Sequence, residues 1–221
     1  MPAKPRSRPI VIAIEGFDGA GKSTLAEGLK RHFDAIGSST QVVGKRLDEA
    51  DIPTDLITNI LMQVEGRRLQ VHDMTHMHLR LARLHARLAL AHGEANVYIM
   101  DRWVLSELTY MSLHSESTAG HLVDELDGLA ANITLFLKCS FDVSWSRVQA
   151  RGNALTPKQA LGAEWNEHIF DRLQRFAVHP PDVVGKIVAL DATRPVESVL
   201  ESALEVLESA RATPIRSRQL S

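Results

Sequence analysis

A glycine-rich octapeptide near the start of the chain limits the choice of folds more than any other segment. Residues 16–23 read G-F-D-G-A-G-K-S, which fits the pattern G-x-x-x-x-G-K-[ST] without a gap. The octapeptide follows the apolar run Ile10–Ile14, which is typical of a buried strand, and it leads into a helical pattern over Lys22–Ile36. A strand, a glycine loop and a helix N-terminus in this order predict a phosphate-binding turn.

The residue types in this turn suit a bound polyphosphate. Gly19 and Gly21 let the backbone approach a phosphate without a clash from a Cβ atom. The Lys22 amine can reach the β- and γ-phosphates, and the Ser23 hydroxyl is a ligand that suits Mg²⁺. The predicted nucleotide contacts extend over the whole segment: Gly16, Phe17, Asp18, Gly19, Ala20, Gly21, Lys22, Ser23 and Thr24.

The rest of the chain alternates between strand and helix patterns. Further apolar runs predict strands at Gln41–Val43, Val97–Met100, Ile133–Leu137 and Ile187–Leu190. Helical patterns cover Asp55–Val64, Asp73–His92, Phe141–Arg151, Glu164–Ala177 and Pro195–Ala210. Buried strands separated by helices predict an α/β fold, with a five-stranded parallel sheet covered by helices on both faces. We expect one domain over residues 10–210, between polar, basic tails at 1–9 and 211–221.

Composition excludes several classes of protein. The 25 Lys and Arg residues nearly balance the 27 Asp and Glu residues, which leaves a net charge of -2. This balance gives no indication of general binding to nucleic acids or anionic membranes. No apolar run approaches the length of about 18 residues that spans a bilayer. The single Cys139 excludes an internal disulfide framework, so we expect a cytoplasmic protein.

A second candidate site follows the predicted strand Val97–Met100. The next residues are Asp101 and Arg102, and ligands of open parallel sheets bind beyond the carboxyl ends of strands. If this strand neighbours the first one, both side chains face the phosphate loop. Asp101 would then hold a Mg²⁺ water or the incoming group, and Arg102 would grip a phosphate with its planar fork.

The absence of other motifs narrows the class of phosphate-loop protein. The chain contains no N-K-x-D sequence, which a regulatory GTPase needs to read guanine, and no L-S-G-G-Q-like signature of a transporter ATPase. A kinase that transfers a phosphoryl group to a small acceptor remains.

Two segments resemble thymidylate kinases. The segment I-E-G-F-D-G-A-G-K-S-T, residues 14–24, is similar to the opening of that family, and D-R-W-V-L-S-E-L-T-Y, residues 101–110, is similar to its second block. The resemblance extends from about residue 10 to residue 208. It implies a P-loop kinase fold with strand order 2-3-1-4-5, Mg²⁺–ATP as donor, a deoxynucleoside monophosphate such as dTMP as acceptor, and a homodimer.

The resemblance also implies roles for single residues. Arg102 matches the arginine that holds the acceptor phosphate, and Ser106 matches the serine of the second block. Tyr110 matches the tyrosine beneath the deoxyribose. Asp18 matches a loop aspartate close to Mg²⁺ and the acceptor phosphate, so Asp18 and Ser23 are the implied metal-binding residues.

The chain departs from the family around the acceptor base. The usual T-R-E-P-G-G is replaced by G-K-R-L-D-E at residues 44–49, where Arg46 is the counterpart of the arginine. Arg83 matches a family arginine, but Leu79 occupies the position of a base-stacking aromatic residue. Glu107 occupies a position where some members have an asparagine near the base. Phosphoryl transfer is therefore better supported than recognition of thymine.

The helical pattern over Asp73–His92 carries two further sets of residues. Its arginines lie beside an apolar stripe and, taken alone, suggest a solvated charged face; a nearby acceptor phosphate favours a binding role for Arg83 and leaves Arg80 and Arg87 open. The histidines just before its start and in its first turns are expected on the helix surface, because no third well-spaced metal ligand accompanies them: His72, His76 and His78.

The segment at about 151–163 is expected to form a short lid over ATP. Arg147 and Arg151 lie four residues apart on the preceding helix, and a polar stretch with Pro157 follows. Some relatives have an arginine at the position of Gly19, and this chain does not, so the resemblance implies that the lid supplies positive charge to the transferring group. Arg151 is the first candidate, followed by Arg147 and Lys158.

Two other functions remain open at this point. A nucleoside kinase, or a kinase of a modified pyrimidine nucleotide, would need a carboxylate as general base for a hydroxyl acceptor, and Asp101, Asp18 or Glu107 could serve. A regulator that binds nucleotide without transferring phosphate would show no product with any acceptor.

Overall fold

The sheet has the predicted architecture. The computed structural model describes residues 9–44, 52–66, 71–90, 95–152 and 154–212. Its five strands are β1 (Ile10–Gly16), β2 (Thr40–Val43), β3 (Val97–Asp101), β4 (Ile133–Lys138) and β5 (Ile187–Asp191). They form one parallel sheet in the order β2-β3-β1-β4-β5, which confirms the predicted order 2-3-1-4-5.

Helices cover both faces of this sheet. They are α1 (Lys22–Ala35), α2 (Ile52–Glu65), α3 (Asp73–Leu90), α4 (Val104–His114), α5 (Glu116–Glu125), α6 (Phe141–Ala150), α7 (Ala163–Val178) and α8 (Val196–Ala212). Two single 3₁₀ turns lie at Gln159–Leu161 and Asp182–Val184. Helix α8 continues two residues into the expected C-terminal tail, and residues 1–8 and 213–221 lie outside the described residues.

The pattern of apolar residues does not predict helices α4 and α5. Nine of the eleven residues of α4 are buried, because it packs between α5 and α7 on one side of the sheet. A helix that is buried nearly all round has no polar face, so the amphipathic period that indicates a helix is absent. The burial of α4 also takes the polar side chains of Ser106 and Glu107 into the interior.

Two apolar cores lie on opposite faces of the sheet. Because side chains of a strand alternate, Ile12 and Ile14 of β1 pack with α1 and α8, while Ala13 points to the core that contains α3, α4 and α7. Helices α3 and α4, which border the core on the side of Ala13, also carry the buried arginines and the buried Glu107 that are described below. Among the described residues, no helix is long and apolar enough to cross a membrane.

Strand register brings the two sequence motifs together. Ile14 of β1 pairs with Asp101 of β3, and the backbone N–H of Arg102 donates to the carbonyl of Ile14 at 3.0 Å. The segment that ends β3 therefore lies beside the loop that leaves β1. All strands run in the same direction, so their carboxyl ends meet at one edge of the sheet.

Candidate active site

The phosphate loop connects β1 to α1 through three glycines with positive φ. A Cβ atom on Gly19, which has φ of +87°, would lie 2.1 Å from the backbone oxygen of Ser144, so only glycine fits this approach. Gly21, with φ of +98°, has open space where its Cβ would lie. Gly21 also caps α1 without a side-chain hydrogen bond, so the first-turn N–H groups of α1 face this space and suit an anion.

Lys22 lies across this loop. Its side chain is buried, and its Nζ donates to the carbonyl of Phe17 at 2.8 Å. Burial, followed by the positive charge of Arg102, lowers the pKa of Lys22 to about 7. The negative charge of a bound phosphate would favour the protonated amine of Lys22, so this site favours binding of an anion.

The carboxyl end of β3 meets the start of α1 through a hydrogen bond between side chains. The Ser23 hydroxyl donates to Oδ2 of Asp101 at 2.9 Å. A hydroxyl and carboxylates in this position fit Mg²⁺, which is held by one or two carboxylates and by the phosphates of its substrate. No group of three His, Cys, Asp or Glu side chains that could hold a metal ion occurs within the described residues.

Arg102 turns back from the end of β3 toward the phosphate loop. Its backbone has φ of +66°, in the left-handed region that residues other than glycine rarely adopt. Its guanidinium forms an ion pair with Asp18 and contacts the carbonyl of Gly16 at 3.3 Å and the hydroxyl of Ser106 at 3.4 Å. Burial disfavours the charged guanidinium, but the charges of Asp18, Tyr110 and Asp101 together raise the pKa of Arg102 above its ordinary value. The guanidinium thus stays charged beside the loop.

The lid segment brings a different cation to Asp18 than the first candidate from the sequence. The Nζ of Lys158 lies 3.0 Å from Oδ2 of Asp18 and donates to the hydroxyl of Tyr110, and Nε2 of Gln159 donates to Asp18 at 2.9 Å. Burial has the largest single influence and lowers the pKa of Lys158, but the charges of Asp18 and Tyr110 raise it, and the net shift is upward. Arg151 is exposed and lies on the other side of the phosphate loop.

A cavity of about 360 Å³ opens beside the phosphate loop. Gly19 and Gly21 form one wall, and Arg147, Arg151 and Arg194 line the remainder. Nη1 of Arg147 donates to the backbone oxygen of Ala192 at 3.0 Å. Arg102 is not among the lining residues, so the cavity is the candidate site for the base and sugar of a donor nucleotide.

The arginines of α3 are buried, so the prediction of a solvated charged face is wrong. Arg80, Arg83 and Arg87 are each at most 3% exposed. Nη1 of Arg80 donates to Oε2 of Glu107 at 2.8 Å, and Arg83 forms an ion pair with the other oxygen of Glu107. Arg80 also lies 3.6 Å from Glu65 of α2. We call Glu65, Arg80, Arg83 and Glu107 the ionic cluster.

The residues of the ionic cluster stabilise one another's charges, but some of their hydrogen-bond donors have no partner within the described part of the chain. Burial alone would raise the pKa of Glu107, but the charges of Arg83 and Arg80 lower it below its ordinary value. Nε and Nη1 of Arg83 are buried and have no hydrogen-bond partner among the residues that the structure describes. A buried donor without a partner is costly, so these two N–H groups are candidates for contact with a bound acceptor.

Arg87 connects the ends of two strands. Its Nη2 donates to the backbone oxygens of Val43 at 2.9 Å and Asp101 at 3.1 Å, and its guanidinium lies over the ring of Trp103. The segment after β2 that carries Arg46 lies outside the described residues.

The histidines just before and within the first turns of α3 do not all lie on the surface. His72 and His78 are exposed, as expected, but His76 is 1% exposed and accepts a hydrogen bond from Nε of Arg80 at 3.1 Å. Burial, followed by the charge of Arg80, lowers the pKa of His76 to about 2. His76 is therefore neutral and belongs to the buried polar interior.

Sequence reasoning assigns no role to Glu15, Gln159 and Arg194. Glu15 is a carboxylate in an otherwise apolar strand and is fully buried. An acidic residue at such a position was the one available signal, since burial of a carboxylate requires partners that hold it there. Gln159 and Arg194 lie in a short turn and a loop, where sequence gives no comparable signal.

Comparison with known proteins places this arrangement among kinases. The thymidylate kinase family model matches residues 14–203. The thymidylate kinase of Xanthomonas campestris pv. campestris (strain B100) is 32% identical over 219 residues, which covers 94% of this chain and 86% of that protein. The thymidylate kinase of Latilactobacillus sakei is 24% identical over 207 residues, with 90% and 95% coverage.

Solved structures with a similar fold include a deoxyadenosine kinase from M. mycoides. The structure with dCMP and dCDP bound superposes with a TM-score of 0.63 at 21% identity, over 90% of this chain and all of that chain. The structure of the same kinase with bound dCTP gives a TM-score of 0.59 at 20% identity. At this level of identity the similarity concerns the fold alone.

Proposed function

The chain belongs to the thymidylate kinase family and is a nucleotide kinase, and from this premise we propose that it transfers the γ-phosphoryl group of ATP to dTMP. The observation that carries the proposal is the position of Arg102. Its guanidinium lies beside the phosphate loop, in contact with Asp18 and the carbonyl of Gly16. A cation there can hold an acceptor phosphate next to the γ-phosphate of a donor.

The donor is proposed to bind along the phosphate loop and the adjoining cavity. Backbone N–H groups of residues 19–24 and the amine of Lys22 would hold the phosphates, and Arg147 and Arg151 line the space for the remainder of ATP. The lid, now through Lys158, would add positive charge on the side of Asp18 and Tyr110.

Mg²⁺ is proposed to bind at Ser23 and Asp18, with Asp101 close by. The ion supplies positive charge that is shared by the donor phosphates. Ser23, Asp18 and Asp101 offer only oxygen ligands, which is the donor set that Mg²⁺ prefers.

The acceptor side supports a monophosphate. Arg102 and the two unpartnered donors of Arg83 can bind an anion or a carbonyl oxygen, and Ser106 and Tyr110 line the same region. A phosphate oxygen is already anionic near neutral pH, so its attack requires no general base.

A nucleoside as acceptor is less well supported, because its hydroxyl needs a free carboxylate. Asp18 is engaged by Arg102, Lys158 and Gln159. Asp101 accepts from Ser23, and Glu107 is held by two arginines of the ionic cluster, which also lower its pKa. Each candidate base therefore already accepts a hydrogen bond or forms an ion pair within the protein. A cytoplasmic location, a homodimer, the absence of nucleic-acid binding and a single domain over 10–210 remain predictions.

The decisive experiment is an acceptor panel with ATP, combined with a variant of Arg102. We expect phosphorylation of deoxynucleoside monophosphates, with dTMP the best, and none of nucleosides. Arg102→Ala should lower kcat/KM for dTMP by about 2–4 kcal/mol of transition-state stabilisation, as the loss of one preorganised donor does elsewhere. Arg172→Ala is the matched control, since Arg172 pairs with the exposed Glu116 away from the loop. Unchanged turnover by Arg102→Ala would remove the assignment.

A further inference from the structure

A fully buried carboxylate links the phosphate loop to helix α4. Glu15 is the β1 residue that directly precedes Gly16, and it is 0% exposed. Its Oε1 accepts from the backbone N–H groups of Trp103 at 2.7 Å and Ser106 at 3.0 Å, and its Oε2 accepts from the hydroxyl of Ser106 at 2.5 Å. These contacts span two segments that are about 90 residues apart in the chain.

These hydrogen bonds supply a cap that α4 lacks locally. Trp103 is the N-cap residue of α4 and its side chain makes no cap hydrogen bond. The carboxylate of Glu15 accepts instead from the N–H groups of the N-cap residue and of Ser106, three residues later. Burial raises the pKa of Glu15, whereas these hydrogen bonds and the charge of Arg102 lower it and so favour the carboxylate that accepts them. The start of α4 is thereby fixed against the strand that leads into the phosphate loop.

Arg102 lies where the chain passes from β3 into α4, and backbone hydrogen bonds to β1 hold this segment at two successive residues. Its N–H is bonded to Ile14 of β1, and the next residue, Trp103, is bonded to Glu15 of the same strand. The chain passes between these bonds with the left-handed φ of Arg102, a conformation that persists only where the surrounding structure holds it. Glu15 therefore helps to hold the backbone from which the Arg102 side chain turns to the loop.

A chain of side-chain hydrogen bonds extends the same effect to the guanidinium. Because the Ser106 hydroxyl donates its hydrogen to Glu15, its oxygen is free to accept from Nη1 of Arg102 at 3.4 Å. Glu15 thus sets the direction of the bond between Ser106 and Arg102. All three acceptor contacts of Glu15 go to Trp103 and Ser106, so it is not a free base for an acceptor hydroxyl.

We propose that Glu15 is a positioning residue for phosphoryl transfer, which acts through Ser106 and the backbone of Arg102 to direct the guanidinium to the acceptor phosphate. This inference rests on the proposed function, because it assigns Glu15 an effect on the same acceptor site. It predicts that the loss of the Glu15 carboxylate weakens the acceptor side of the reaction and leaves the donor side nearly unchanged.

Glu15→Gln separates this role from simple packing. The amide has the same size, and its oxygen can still accept from the two backbone N–H groups. Its NH₂ group faces Ser106, so the serine hydroxyl loses its acceptor and the hydrogen-bond chain to Arg102 is reversed at its first link. Glu15→Asp keeps the charge with a shorter reach, and serves as the conservative variant for partial rescue.

The experiment is a double-variant cycle with steady-state kinetics. Rates are measured for the wild type, Glu15→Gln, Arg102→Ala and the double variant, with ATP and whichever deoxynucleoside monophosphate the wild type phosphorylates fastest. We expect Glu15→Gln to lower kcat/KM for the acceptor about 10- to 100-fold, the range for a displaced catalytic contact, while KM for ATP changes less than about twofold. In the Arg102→Ala background, Glu15→Gln should have almost no further effect. Glu15→Asp should recover part of the loss.

Controls distinguish the possible failures. Thr134→Val removes another buried side-chain hydrogen bond of the sheet, from Thr134 to the carbonyl of Val184, and should lower stability without separating the two substrates. Two results would overturn the role of Glu15 and leave the proposed function intact. One is that Glu15→Gln impairs the kinetics for ATP as much as those for the acceptor. The other is that Glu15→Gln lowers kcat/KM by the same factor in the Arg102→Ala variant as in the wild type. A wild type that phosphorylates no monophosphate would overturn the proposed function, and the role of Glu15 with it. If Glu15→Gln fails to fold, the same cycle with Ser106→Ala and Ser106→Thr in place of residue 15 decides the outcome, since only the alanine breaks the chain.

Discussion

The donor and acceptor sides of the site bind phosphate by different means. The donor side is one continuous segment, in which the backbone of residues 16–24 and a helix N-terminus face the ligand. The acceptor side is assembled from charged side chains of α3, α4 and the lid, which are far apart in the sequence and buried together. The donor side holds one buried charge, Lys22, whereas the acceptor side depends on a balance among several buried charges.

This difference has consequences for mutation and for pH. Backbone N–H groups are removed only by substitution with proline and do not titrate, so apart from Lys22 the donor side depends on shape, for example on the approach of Gly19 to Ser144. Buried charges on the acceptor side stabilise one another, and the loss of one leaves its partners without compensation. The following experiments examine this contrast, beginning with the largest expected effect.

Removal of the central carboxylate of the ionic cluster should have the largest effect on stability. In Glu107→Gln, Arg80 and Arg83 lose the negative charge that both contact, and we expect a loss of about 3–5 kcal/mol in the free energy of unfolding, measured with urea. Glu116→Gln is the matched control, because Glu116 pairs with Arg172 but its side chain is 70% exposed; we expect at most about 1 kcal/mol there. Equal losses in the two variants would contradict the contrast between the two environments.

Substitutions of the two cations of the lid region, Lys158 and Arg151, should change different kinetic parameters. Lys158 contacts Asp18 and Tyr110, whereas Arg151 lines the donor cavity. We expect Lys158→Met to lower kcat about 10- to 100-fold, because positive charge near the transferring group is lost. Arg151→Met should raise KM for ATP a few-fold, with kcat nearly unchanged, because Arg151 lies away from that group. Steady-state kinetics with both substrates varied would show the reverse pattern if Arg151 is the lid cation.

The smallest expected effect concerns proton uptake on the donor side. The pKa of Lys22 is lowered to about 7 in the free protein, and a bound phosphate favours the protonated amine. ATP affinity should therefore fall as pH rises above 7, by about fivefold between pH 7 and 8, with uptake of close to one proton at pH 8. Calorimetry in buffers of different ionisation enthalpy measures this uptake. Lys22→Arg, whose side chain does not titrate, is the control, and the same uptake in that variant would contradict the assignment to Lys22.

The sequence predicts the donor side of the site better than the acceptor side. The octapeptide and the five apolar runs are local patterns, and the order of the strands is implied by the resemblance to thymidylate kinases; all are found in the fold. The spacing of Arg80, Arg83 and Arg87 is equally clear in the sequence, but it predicts the wrong environment. The same charged stripe occurs on exposed helices, and burial depends on Glu107 and Glu65, which lie in other helices. The lid cation is a similar case, since Lys158 reaches Asp18 only through the path of the folded chain.

The sequence by itself determined the phosphate loop and the class of fold, because glycine conformations, strand period and helix N-termini are local properties of the backbone. Tertiary structure alone decided which charged side chains share the buried acceptor side, how Glu15 caps a helix about 90 residues away, and which lid cation meets Asp18. The physical reason is that a buried charge is stable only beside its partner. That partner is supplied by packing between distant segments and not by neighbours in the chain.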